Sequence, residues 1–63
     1  MEVSDVLERR RVDRGITVAE LARRTSVSYD VLTRTLKGSS MVKGDQLIRI
    51  CRELKLEVSD FPD

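Results

Sequence analysis

The chain has 63 residues, 40% of them hydrophobic and 37% charged, which makes at most one small domain near the size where a lone apolar core is only marginally stable. Its apolar residues are mostly Val, Leu, Ile and Ala, and one Pro with three Gly excludes a collagen-like or compositionally disordered chain. The net charge of +1 says little about a partner, but residues 1–43 carry nine Lys/Arg against six Asp/Glu and residues 44–63 carry three against five.

Ser4 and Asp5 offer an N-cap and a first-turn acid for a first helix anchored by Val3, Val6 and Leu7. Gly15 is expected to end it in a left-handed cap, behind the cations Arg9, Arg10, Arg11 and Arg14. Thr17-x-x-Glu20 reads as a capping box opening a second helix with Leu21 and Ala22 facing inward. That helix is short, because Thr25-Ser26 reads as a turn and Val27-Ser28 as a new cap. A third helix runs from Ser28 on Leu32 and Leu36 and ends at Lys37-Gly38, where Gly38-Ser39-Ser40 forms a loop. Lys43 to Lys55 is predicted as a fourth helix, with Leu47, Ile50, Cys51 and Leu54 at helical spacing and Cys51 as a small core residue. Glu57–Phe61 has room for one more turn, ended by Pro62.

The predicted architecture is all-α, a compact bundle of four to five short helices forming one domain over residues 1–63. Its informative piece is Thr17–Lys37. Two helices there are separated by only three or so residues, too few for an antiparallel hairpin and right for a roughly perpendicular crossing. From such a pair the third helix projects Ser28, Tyr29, Asp30, Thr33 and Arg34 on one side. A helix fits the DNA major groove, and its first turns reach base edges. Arg34 suits a bidentate contact to guanine, and Tyr29 a thymine methyl or a phosphate. Ser28 and the amides at the helix N-terminus suit phosphate. Asp30 either complements the helix dipole or accepts from a cytosine amine.

The order and spacing of Gly15-Ile16-Thr17, Glu20-Leu21-Ala22, Val27-Ser28, Leu32, Arg34, Gly38 and Leu54-x-Leu56 resemble the lambda-repressor/Cro-like (XRE) family of helix-turn-helix regulators, over about Leu7 to Phe61. The resemblance implies a lambda-repressor-like DNA-binding domain with its helix-turn-helix at about 17–37, in which Ala22 allows the second helix of the motif a close approach. It assigns Thr17, Lys37, Ser39, Ser40 and Lys43 to the sugar-phosphate backbone. It also implies double-stranded DNA with a pseudo-palindromic operator as the partner. Of the spare apolar residues Ile48, Leu56, Val58 and Phe61, some are expected to cap the core from the tail and others to form a homodimer contact near the C-terminal end, its usual place in the resembling family. Three positions depart from the family pattern. Val18 stands where a bracing Gln is common, Thr35 where an aliphatic residue is usual, and Leu36 where a Glu often pairs with an Arg of the first helix. Arg11 is therefore expected to face DNA or solvent.

These readings point to a repressor-like regulator of phage or bacterial type. A protein-interaction module on the same fold, antitoxin-like or anti-repressor, is the alternative that the low net charge and Asp30 favour. Catalysis is disfavoured: there is no His, the only thiol lies in an apolar stripe, and no Gly-rich phosphate loop follows a strand. No cofactor or metal is expected. The single Cys excludes an internal disulfide and suits a reducing compartment. No apolar run approaches a signal h-region or a membrane span, so the expected location is the cytoplasm with no membrane partner.

Overall fold

Local capping chemistry sets most of the helix ends of the computed structural model; the structure describes residues 2–40 and 42–61. Helix α1 spans Val3–Asp13, α2 Val18–Thr25, α3 Tyr29–Lys37 and α4 Asp45–Glu53, followed by a 3-10 turn at Val58–Asp60. No strand occurs among the described residues. Pro62, expected to end the tail, lies outside them.

The first cap differs from the sequence expectation. Glu2, not Ser4, is the N-cap of α1, because Asp5 sits at the third helical position and its carboxylate accepts the Glu2 N–H at 3.1 Å. Ser4 is buried inside the first turn, against Gly38. The C-terminus follows the expectation. Gly15 lies at φ +68°, its N–H donates to Val12 O at 2.9 Å, and the Ile16 N–H donates to Arg11 O at 3.1 Å. That is the Schellman pattern, which a left-handed residue makes possible.

In α2 the Thr17 hydroxyl accepts the Glu20 N–H at 3.1 Å, but the reciprocal half of the expected box is replaced. The Glu20 carboxylate is taken by Arg23 and Arg24, whose hydrogen bonds hold its carboxyl below the ordinary range. Arg24 also reaches Glu53 of α4 at 3.4 Å. Three residues then turn the chain. Ser26 takes a left-handed conformation at φ +59°, Val27 is buried, and Ser28 caps α3 by accepting the Val31 N–H at 3.2 Å.

Helix α3 packs on α1 and α2, and α2 packs on α4. The core joins Leu7, Ile16, Leu21, Val27, Leu32, Leu36, Val42, Ile50 and Leu54. Thr25 and Thr35 are buried with them. Each hydroxyl donates to the carbonyl four residues back, Leu21 O at 2.7 Å and Val31 O at 2.9 Å, so neither is left unpaired.

Helix α4 is shorter than predicted at both ends. Lys43 precedes it, because Gly44 at φ +59° and ψ −130° is outside helical space and acts as the N-cap. Lys55 follows it at φ +55°, with the Leu56 N–H donating to Cys51 O at 2.8 Å. Arg10 secures that end from α1. Its guanidinium donates to Leu54 O and Lys55 O, both at 3.1 Å, and to Asp60 at 3.3 Å. Cys51 is half-buried against the core, and burial raises its thiol pKa.

Candidate nucleic-acid interface

The burial pattern of α3 divides its surface. Leu32, Thr35 and Leu36 are buried and Val31 and Thr33 half-buried, while Tyr29, Asp30, Arg34 and Lys37 are exposed. At 3.6 residues per turn, positions 30, 34 and 37 fall on one stripe opposite the buried residues. Asp30, Arg34 and Lys37 therefore share one outward face, and Tyr29, 56% exposed, flanks it in the first turn.

Thr33 departs from the expected reading set. Its hydroxyl oxygen is buried and has no hydrogen-bond partner. Thr33 lines a cleft of about 250 Å³ with Glu8, Val18, Leu36 and Lys37. Its hydroxyl therefore faces the body of the domain and is not on the Asp30–Arg34–Lys37 stripe. The same cleft brings Lys37 of α3 beside Val18, the first residue of α2.

Two helix N-termini carry hydroxyl caps. Thr17 and Ser28 are exposed, and each uses an oxygen lone pair on its own helix. A hydroxyl that accepts one N–H keeps its own hydrogen, so both can still donate to a phosphate oxygen. The first-turn amides of α2 and α3 supply further donors with the positive end of each helix dipole.

The loop after α3 is fixed by Gly38, at φ +82°. The Ser39 and Ser40 amides both donate to Arg34 O, at 2.9 and 3.4 Å, which folds the loop against the last turn of α3. Both serines are exposed, and exposed Lys43 follows the buried anchor Val42.

Arg11 does not face DNA or solvent. It donates to Ile16 O at 2.6 Å and pairs with Glu8, and its side chain is 17% exposed. It ties α1 to the connection that leads into Thr17. The family-typical partner is absent, and the Glu8 carboxylate and the Ile16 carbonyl take its place. Arg49, which the sequence did not single out, donates to Thr25 O at 3.2 Å and caps the C-terminus of α2. No local sequence signal pairs residues so far apart.

The residues assigned to a dimer contact divide into two groups. Leu56 and Phe61 pack against the core. Ile48 and Val58 are 50% and 91% exposed. Among the described residues no helix is long and apolar enough to cross a membrane.

The sequence model of one family, described as Cro/C1-type HTH (helix-turn-helix) DNA-binding domain, matches residues 6–62. No curated protein and no solved structure matches the chain.

Proposed function

The chain belongs to the Cro/C1-type helix-turn-helix DNA-binding domains, and from that premise we propose that it is a sequence-specific transcriptional regulator, a small repressor of phage or bacterial type. Helix α3 enters the major groove. Arg34, Asp30 and Tyr29 meet base edges there, and Ser28 meets base or phosphate at the groove wall. Thr33 joins them only through a change of rotamer. Thr17, Lys37, Ser39, Ser40 and Lys43 hold the flanking phosphates. The observation that carries this reading is the exposed Asp30–Arg34–Lys37 stripe, set opposite the buried face of α3, with Lys37 lining one cleft with Val18 at the start of α2.

Residues 1–63 act as one domain in the cytoplasm, by occupying a promoter and not by catalysis. Two copies bind a pseudo-palindromic operator. Ile48 and Val58 offer the exposed apolar surface for that contact, with Leu56 and Phe61 supporting it from the core side. So small a patch gives a weak dimer that forms on DNA.

Two variants test the division of roles. Arg34→Ala is expected to erase preference at one or two base pairs, a loss of about 1–3 kcal/mol on the preferred site. Lys37→Ala is expected to weaken all duplexes alike and to reduce the salt slope by about one. Identical behaviour of both variants on every duplex would remove α3 from its assigned role. The low net charge and Asp30 favour a second reading, a protein-interaction module. DNA affinity that is absent, or does not change with salt, would select it.

A further inference from the structure

We propose that Asp30 is a specificity-determining residue that selects cytosine, paired with a guanine selected by Arg34; the assignment rests on α3 being the groove-entering helix. Three features of the structure leave the Asp30 carboxylate available. The cap of α3 is made by the Ser28 hydroxyl, so Asp30 is not needed to close the helix end. Asp30 is exposed on the same stripe as Arg34. The two stand four residues apart with the acid toward the N-terminus, the arrangement that best favours an ion pair on a helix. Yet the acids in ion pairs among the described residues are Glu8, Glu20, Glu53 and Asp60, and the cations are Arg10, Arg11, Arg23 and Arg24. Neither Asp30 nor Arg34 is spent on the other.

A carboxylate accepts hydrogen bonds and donates none. In the major groove guanine presents N7 and O6 and thymine presents O4, all acceptors that repel it. Adenine offers the N6 amine with the acceptor N7 beside it. Cytosine offers the N4 amine and no acceptor. Asp30 therefore meets one favourable base edge, one mixed edge and two repulsive ones. Phosphate repulsion weakens binding to every sequence, and only a cytosine contact offsets it. The residue thus lowers affinity in general and raises discrimination, which is specificity by rejection. Arg34 supplies the opposite preference, donating to guanine O6 and N7. Four residues of helix rise about 6 Å, and base pairs stack at about 3.4 Å. The two selected bases therefore lie roughly two steps apart or closer along each half-site.

The test is selection of bound duplexes from a random pool with the intact chain, Asp30→Asn, Asp30→Ser and Arg34→Ala, each first shown by circular dichroism to unfold cooperatively. The intact chain is expected to enrich a cytosine and a guanine within about two steps. Asp30→Asn should convert the cytosine preference to adenine, whose N6 and N7 an amide matches, with a relative change of roughly ten- to hundredfold. Asp30→Ser should lose the cytosine preference without that gain. Both should keep the guanine. An unchanged pattern in both Asp30 variants, with guanine lost in Arg34→Ala, would overturn the proposal and leave Asp30 as a partner of the helix dipole. If Arg34→Ala also kept every preference, the assignment of α3 itself would fall.

Discussion

Gly38 and Gly15 end their helices in the same left-handed way, yet alanine at the two sites should have unequal effects. Gly15 lies at φ +68° with nothing within 4 Å of an added Cβ, so Gly15→Ala meets only the backbone penalty of about 1–2 kcal/mol. Gly38 lies at φ +82°, and a Cβ there would stand 3.0 Å from Ser4 Oγ and 3.7 Å from Ser4 Cβ. The first distance is tight enough that the Ser4 hydroxyl must give by a few tenths of an ångström and the second is ordinary, so the crowding belongs to the hydroxyl alone. Overpacking of this kind adds about 1–3 kcal/mol. Gly38→Ala should then cost about 2–5 kcal/mol, close to the whole stability of so small a domain. At roughly 4–8 °C per kcal/mol the difference is readable in a thermal melt followed by circular dichroism. Removing the hydroxyl isolates the two contributions. In a double-mutant cycle Ser4→Ala should recover the steric part of Gly38→Ala and leave the backbone part. Equal losses at Gly15 and Gly38, or no coupling between positions 4 and 38, would refute the close-approach reasoning.

Lys55 occupies the left-handed cap position after α4 at φ +55°, where glycine is favoured. Lys55→Gly should raise stability by up to about 1 kcal/mol in urea titration, and Arg10 keeps its carbonyl partners because they are main chain. Leu32 is fully buried between the elements that α3 joins, and Leu32→Ala should cost about 2–5 kcal/mol, with loss of cooperative unfolding at physiological temperature. Burial raises the Cys51 thiol pKa, so a disulfide reagent at neutral pH should modify it more slowly in the folded chain than in urea. Because the folded thiol titrates above the unfolded one, its contribution to stability is complete below the ordinary thiol range. That contribution is lost as pH rises through the folded value, so the melting temperature should fall on the alkaline side.

The helix-turn-helix was legible because its signals are local. Thr17 and Ser28 cap the helices they precede, and Gly15 and Gly38 end theirs, each by hydrogen bonds within a few residues. Readings failed where a main-chain partner, an unusual backbone, a side-chain rotamer or a distant group decides. The bounds of α4 depend on the unusual backbone at Gly44, the buried Val42 and a guanidinium that reaches Leu54 from α1, none visible as periodicity. Arg11 reads as unpartnered in the sequence because the family's usual acid is missing, but Glu8 one turn back and the Ile16 carbonyl both hold it, and only the first of these is a side-chain spacing. Thr33 lies beside the exposed stripe, and its rotamer, which the sequence does not show, buries the hydroxyl. The sequence leaves Leu56 and Phe61 open between capping the core from the tail and a dimer contact, and both pack against the core.

Selection of bound duplexes by the unaltered chain, carried out at low and at moderate salt, bears most directly on sequence-specific reading by α3. Enrichment of a palindrome with half-sites about 10 base pairs apart, retained at moderate salt, is the predicted result. Recovery of no motif, with binding gone at moderate salt, would contradict it and leave only charge attraction between the chain and DNA.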